Sequence, residues 1–332
     1  MTRPKPSWRP LPRAGVPASC VALPHGGRWP SLLAFLAERL PVLSEADWAR
    51  RMDQGLVLDG QGQPLAPAAP YTPSRHGPAA LVWYWREVAD EVEIPFEAEL
   101  LYRDHHLVVV DKPHFLPMSP VGRYARHTLL ARLQQSLGLD SLTPIHRLDR
   151  ETAGVVVFCI EPATRAAYQA LFRERAVHKV YEAVAPASKS LRFPLQRRSR
   201  IAPAAHHMLM QETGGEPNAE TCIECLGSLA GDAALAHYRL RPLTGRTHQL
   251  RVHMNALGLP LLHDTLYPVL HAEPAPGEAP DFSRPLQLLA RELAFVDPVT
   301  GLSHHFSSTR TLAAVAGHAA QRNWAQAPGS AV

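Results

Sequence analysis

The hydrophobic positions of this chain fall into two kinds of run, and the sharpest lies near the middle. Val155 to Ile160 is continuously apolar and β-branched, the pattern of a strand buried on both faces, and Leu107 to Val110 is a second such run, closed by Pro113. His178 to Val184 alternates instead, with Val180, Glu182 and Val184 on one face of the predicted strand and Lys179, Tyr181 and Ala183 on the other. Further strands are predicted at 55–60 (with a turn), 81–85, 220–227 and 235–243. Between these, apolar residues recur at helical spacing. Leu32, Phe35, Leu36 and Leu40 follow Ser31 and stop at Pro41; Trp48 and Met52 follow Ser44, which with Asp47 makes a capping box. Leu129, Leu130 and Leu133 mark a helix over 128–138, and Ala167, Tyr168, Leu171 and Phe172 mark one over 161–175 with Pro162 in its first turn. A last helix carries Leu250, Met254 and Leu257 on its buried line and Thr244 as its cap. Residues 1–30, rich in Pro, Arg and Gly, are expected to be irregular, and 311–332 to be a loose helix or disordered. Residues 186–220 show no clear period.

Composition narrows the class without naming it. With 46% hydrophobic and 19% charged residues in 332, the chain can bury a substantial core and has room for two domains. Its 34 basic against 30 acidic residues leave +4, which permits nucleic-acid binding without demanding it, so local clusters decide. Cys20, Cys159, Cys222 and Cys225 are too few for a disulfide framework. Cys222-Ile-Glu-Cys225 has a metal-like spacing but no second pair, and in a strand residues three apart point to opposite faces. No stretch is long and apolar enough to span a bilayer and no signal-peptide pattern opens the chain, so a cytoplasmic protein is expected.

The candidate chemistry sits just ahead of the central apolar run. Ile145-His146-Arg147-Leu148-Asp149-Arg150-Glu151-Thr152-Ala153-Gly154 puts Asp149 on a short loop among cations, and Arg147 and Arg150 would favour its ionised form if they lie within a few ångströms. An isolated Asp before a strand is most often a turn residue or a surface ion pair; the whole string is what carries the signal. It resembles the His-Arg-Leu-Asp-x-x-Thr-Ser-Gly signature of the RluA-type pseudouridine synthases, with Ala153 where that family usually has Ser. Two more segments resemble the family in the same order. Lys179-Val180-Tyr181-Glu182-Ala183, after a Phe-x-x-Arg helix end, is similar to its second motif, and Gly245-Arg246-Thr247-His248-Gln249-Leu250-Arg251-Val252-His253 to its third. The opening Val110-Asp111-Lys112-Pro113 and the later Gly258-Leu259-Pro260 and His263-Asp264-x-x-Tyr267 resemble flanking segments. Leu286 to Ala290 matches a Leu-Leu-Leu-His-Ala box, with Leu289 in place of the histidine.

The resemblance spans roughly residues 100–310 and implies an α+β fold: a central mixed, mainly antiparallel sheet with flanking helices, plus a small N-terminal helix-hairpin domain. It implies domains at 31–94 and 95–310, between an irregular segment and a loose tail. The two short helices and hairpin of 31–94 resemble the RNA-binding module often fused ahead of these synthases; a purely structural extension fits the pattern as well. The implied reaction detaches a uridine of ribosomal or transfer RNA at its glycosidic nitrogen, turns the base and rejoins it through carbon 5, with no metal, redox cofactor or ATP. RNA is the expected partner, and a monomer is expected. By the same resemblance Asp149 is the catalytic residue, Arg251 pairs with it, and Tyr181 lies against the base and helps remove the carbon-5 proton. Arg147 fills the space of a flipped base or grips phosphate, and Arg246, His146, Arg123 and Arg198 are further candidate RNA contacts. Arg198 belongs to a cluster with Arg192, Arg197 and Arg200 that no neighbouring acid balances in sequence.

Two rival readings frame the test. The 18 histidines invite a metalloenzyme, but His248 and His253 are five apart, not four, and no His-Glu-x-x-His occurs. A catalytically silent RNA-binding protein or folding assistant on the same scaffold is the other; the joint presence of Asp149, Tyr181 and Arg251 argues against it, since binding alone needs no nucleophile.

Overall fold

A computed structural model describes residues 8–13, 16–41, 43–85, 91–229, 231–275 and 277–316, in two compact units. The first comprises residues up to Glu91 with 119–126 and 131–140. Strand β1 (Ser19–Ala22) and helices α1 (Leu32–Arg39) and α2 (Glu45–Asp53) are followed by strands β2 (Val57–Leu58) and β3 (Leu81–Tyr84), and β3 pairs antiparallel with both β1 and β2. The caps are as the sequence predicts. Ser31 Oγ accepts from Ala34 N–H, and Ser44 with Asp47 closes a reciprocal capping box on α2. Phe35, Leu36, Trp48 and Met52 are buried together with Val57 and Val82. The segment expected to be irregular contributes strand β1: Cys20 and Val21 pair with Trp83 and Val82, so a short pairing partner overrides a proline-rich context. Most of helix α3 (Leu129–Leu137) falls in this unit's 131–140 segment.

The second unit is built on an 11-stranded sheet. Its strands are β4 (Glu99–Arg103), β5 (Leu107–Lys112), β6 (Thr143–Pro144), β7 (Ala153–Cys159), β8 (His178–Pro186), β9 (Leu195–Pro203), β10 (Met210–Thr213), β11 (Ala219–Leu229), β12 (Asp232–Pro242), β13 (Leu288–Val296) and β14 (Ser303–Ser307). The order is β10-β9-β11-β12-β8-β13-β7-β5-β4, with β14 beside β13 and β6 beside β7, and only β13 with β7 runs parallel. Helix α4 (Arg165–Arg173) lies between β7 and β8 in the chain, and α5 (Gln249–Ala256) follows β12. The continuous apolar runs become the central strands, and every residue of β5 and β7 is buried. Leu250 and Met254 of α5 pack with Ile223, Tyr238 and Leu240 of the sheet.

Three expectations need correction. The illegible segment 186–220 is a hairpin of β9 and β10, with β9 also paired to β11. The arginines there are balanced by acids across the strands: Arg197 bonds to Glu212, and Arg198 Nε lies 3.5 Å from Glu220. Thr244 does not cap α5, which starts five residues later; its hydroxyl donates to Gln249 Oε1 and accepts from Glu220 N–H, tying the approach loop to β11. Leu312, placed in the loose tail by sequence, is fully buried with Ala153, Val184 and Leu289, and the rest of the tail from 317 lies outside the described residues.

Candidate active site

The loop between β6 and β7 holds Asp149, and three constraints fix its position. Lys112, wholly buried at the end of β5, donates from Nζ to the carbonyl oxygens of Pro113, Leu116 and Arg150, spending its three N–H bonds to pin the residue after the aspartate. Burial draws the Lys112 ammonium down to about 7, with Asp149 and Glu151 opposing the fall. Thr152 N–H donates to Asp149 C=O, closing the turn. Gly154 then enters β7 at φ +116, where a Cβ would overlap the carbonyl oxygen of Ala290 and stand 2.7 Å from its carbonyl carbon and nitrogen. The glycine is what lets β7 run parallel to β13 at Ala153–Leu289 and Gly154–Ala290.

Opposite this loop, α5 presents Arg251, 2% exposed and surrounded by three carboxylates. Its Nε and Nη2 fork onto Asp264 at 2.9 and 2.5 Å, Nη2 also reaches Glu151 at 2.9 Å, and Nη1 lies 3.5 Å from Asp149 Oδ2. Burial disfavours the guanidinium, but the bond to Asp264 and the pull of Asp264, Asp149 and Glu151 more than offset it, so the charge is held more firmly than usual. The bidentate pair is thus with Asp264, and the pairing with Asp149 that the resemblance implies is the longer contact. At 3.5 Å the Asp149 contact is an ion pair longer than a charge-assisted hydrogen bond, leaving a carboxylate whose side chain is 30% exposed and free to meet a ligand. Glu151 Oε1 accepts from Thr265, which braces the far side of the cluster.

Both elements open onto one cavity of about 740 Å³, within the range of about 300–1,000 Å³ usual for small-ligand sites. Asp149, Tyr181, Arg251, Arg147, Arg246 and His146 all line it, together with the cations Arg173, Arg175 and Lys179. Tyr181 comes from β8, and burial first, then the nearby Asp149 carboxylate, push its phenol well above the ordinary value. Arg147 and Arg246 are exposed, and Arg246 Nε donates to Asn218 C=O. Lys179 Nζ donates to Thr244 C=O, and burial lowers it to about 8.

His146 does not fit a phosphate contact: Nε2 accepts from Val157 N–H, the ring stacks on Phe172 at 4.7 Å, and burial brings it down to about 3, so it is neutral. Arg150 turns to Glu151 and Glu273 instead of Asp149. Arg123 lies in the 119–126 segment of the first unit, and Arg198 on exposed β9; neither lines this cavity. Sequence reasoning did not assign Asp264, Glu151, Lys112 or His248, although each falls inside a quoted segment.

The two departures from the motif pattern meet in space. Ala153 and Leu289 are register partners across β7 and β13, both fully buried in one apolar cluster with Val184, Leu229 and Leu312. Two positions where the pattern has polar side chains are here a matched apolar pair.

Comparison with known proteins places this mixed sheet, with its aspartate loop and clamped arginine, in the RNA-isomerising class of enzymes. Residues 106–256 match the family RNA pseudouridylate synthase. The chain is 30% identical over 240 residues to an uncharacterised RNA pseudouridine synthase of Synechocystis sp., covering 71% of this chain and 79% of that one. It is 34% identical to the dual-specificity RNA pseudouridine synthase RluA of Vibrio vulnificus, covering 60% of this chain and 78% of the relative. The solved structure of human RNA Pseudouridylate Synthase Domain Containing 1 shares the fold at TM-score 0.50 and 21% identity, over 71% of this chain and 97% of that one. The protein belongs to the RluA-type pseudouridine synthase family and is an RNA pseudouridine synthase, an isomerase.

Proposed function

We propose that the protein converts specific uridines of ribosomal or transfer RNA to pseudouridine with Asp149 as the catalytic residue. The observation that carries this reading is the placement of Asp149, partly exposed, in a cavity ringed by cations and 3.5 Å from the clamped Arg251. Arg251 orients Asp149, while Asp264 and Glu151 keep Arg251 in place. Asp149 acts at the uracil or the sugar while the glycosidic bond is exchanged for a bond to carbon 5. The Tyr181 ring lies against the base, which leaves the RNA stack to enter the cavity. Arg147, exposed at the rim and without an ion pair among the described residues, occupies the vacated space or holds a phosphate, and Arg246, Arg173 and Arg175 hold the flanking backbone. The relatives named dual-specificity make more than one target site a natural expectation. The enzyme acts as a monomer in the cytoplasm, where its RNA is.

Mapping pseudouridines by carbodiimide-dependent reverse-transcription stops tests this. RNA from cells lacking the gene should lose one or a few stops, which the wild-type gene restores and Asp149→Asn does not. Restoration of a growth or assembly phenotype by Asp149→Asn, with no stop changed, would favour the RNA-binding reading.

A further inference from the structure

Asp149, Tyr181 and Arg251 account for one part of the cavity, and at about 740 Å³ it has room for more than the single pyrimidine they would meet. Another part is walled by the last turn of α4 and by His146. Helix α4 divides its side chains by spacing. Tyr168 is buried and donates to Asp297, while Gln169, Phe172 and Arg173, at i, i+3 and i+4, line the cavity. The Phe172 ring lies on that of His146 with centroids 4.7 Å apart and planes 14° from parallel, so this wall is an aromatic stack. His146 stands three residues before Asp149, a span of at most about 11 Å, which makes the stack a close neighbour of the carboxylate.

The chain leaves α4 through a turn that favours glycine, and it uses arginine. Ala176 N–H donates to Leu171 C=O at 2.8 Å and Arg175 N–H to Phe172 C=O at 3.4 Å, the two bonds of a Schellman helix end. Arg175 holds the left-handed position of that motif at φ +60, where glycine sits without strain. Its exposed side chain lines the cavity and meets no carboxylate among the described residues, whereas Arg173 lies 3.1 Å from Glu174. Gln169 likewise makes no side-chain hydrogen bond among the described residues. The dipole of a helix C-terminus repels phosphate, so an unpaired cation held there against the preference of the backbone argues for an anionic ligand.

We infer that the end of α4 is a second nucleotide subsite, which takes the nucleotide next to the target uridine. The neighbour's base stacks on the Phe172–His146 pair, Gln169 meets the edge of that base, and Arg175 meets its phosphate. The inference rests on the assignment of the target uridine to Asp149. A stack accepts any base, while an amide that both donates and accepts sets a preference among them, so this subsite contributes to the choice of uridine.

The test follows tritium release from carbon 5 of uridine, in RNA from a strain lacking the gene and in a short RNA spanning a uridine that the wild type converts. Phe172→Leu should raise KM by about tenfold or more with kcat within about threefold, and Phe172→Tyr, which keeps the ring, should restore it. Removing the base of one nucleotide beside the uridine should raise the wild-type KM to the same degree and leave that of Phe172→Leu unchanged. Arg175→Gly should raise KM by about three- to tenfold and flatten the slope of log KM against log salt by about 0.7, the value for one lost phosphate contact on a single strand. Its urea midpoint should be no lower than that of the wild type, because glycine suits the turn. Equal losses on base removal in wild type and Phe172→Leu would overturn the subsite, as would an unchanged salt slope or a lowered midpoint in Arg175→Gly. Wild type that releases no tritium from the cellular RNA would overturn the underlying reaction and the subsite with it, a result distinct from the others.

Discussion

Substituting Gly154 by alanine probes the joint on which the site rests. At φ +116 any side chain is strained, by about 1–3 kcal/mol. The added Cβ would overlap Ala290 C=O and stand 2.7 Å from the Ala290 carbonyl carbon and nitrogen, so two buried strands must part by about an ångström. Overpacking of that kind costs about 1–3 kcal/mol, and the short parallel pairing of β7 with β13 would lose a backbone hydrogen bond of about 1 kcal/mol. The expected loss is about 3–7 kcal/mol. Gly258→Ala is the control, because φ there is +74 with nothing within 4 Å of the new Cβ, so it carries the backbone cost alone. Urea unfolding should be followed by far-ultraviolet circular dichroism, since five of the six tryptophans, Trp8, Trp29, Trp48, Trp83 and Trp85, lie in the first unit and their fluorescence is dominated by the wrong one. A difference of about 2–4 kcal/mol between the variants is expected. Equal stabilities within about 0.5 kcal/mol would refute the close approach of β7 to β13.

Three further outcomes follow from the same contacts. Asp264→Asn removes the charge that the Arg251 fork grips, and should cost about 3–5 kcal/mol in unfolding measurements along with most activity; a near-neutral result would mean that Glu151 alone holds the arginine. His146 is lowered to about 3 from 6.5, so between those values the unfolded chain binds a proton that the folded one does not, and stability falls as pH drops below 6.5. Wild type should lose about 2 kcal/mol more than His146→Gln between pH 6.5 and 5; identical pH dependence would contradict a buried neutral ring. Leu289→His alone should destabilise by about 2–4 kcal/mol, and adding Ala153→Ser should recover at least about 0.5 kcal/mol in a double-mutant cycle; strict additivity would show that the two positions do not communicate.

Legibility followed the kind of signal each element carries. The β7 and β5 runs were plain because strands buried on both faces are continuously apolar. The hairpin of β9 and β10 was not, because its residues are mostly exposed or half-exposed and its stabilising pairs, Arg197 with Glu212 and Arg198 with Glu220, lie across strands 15 and 22 positions apart in sequence. The cap at Thr244 failed because the rule for Ser and Thr ahead of a helix says nothing of a side chain such as Gln249 that captures the hydroxyl first. Asp149, Tyr181 and Arg251 could be singled out from motif order. The partner that anchors Arg251 could not: Asp264 lies 13 residues on, beyond the helix and a turn, and only the fold brings it back. The approach of His248 to Asp149 was hidden too, since it depends on a left-handed backbone that no spacing rule reports.

Tritium release from RNA labelled at carbon 5 of uridine, with RNA from cells lacking the gene, compares wild type with Asp149→Asn most directly. Release by the wild type, with that of the variant lower by at least about 10³-fold, is the predicted result. Comparable release from both would contradict Asp149 as the catalytic residue, and none from either would contradict the reaction itself.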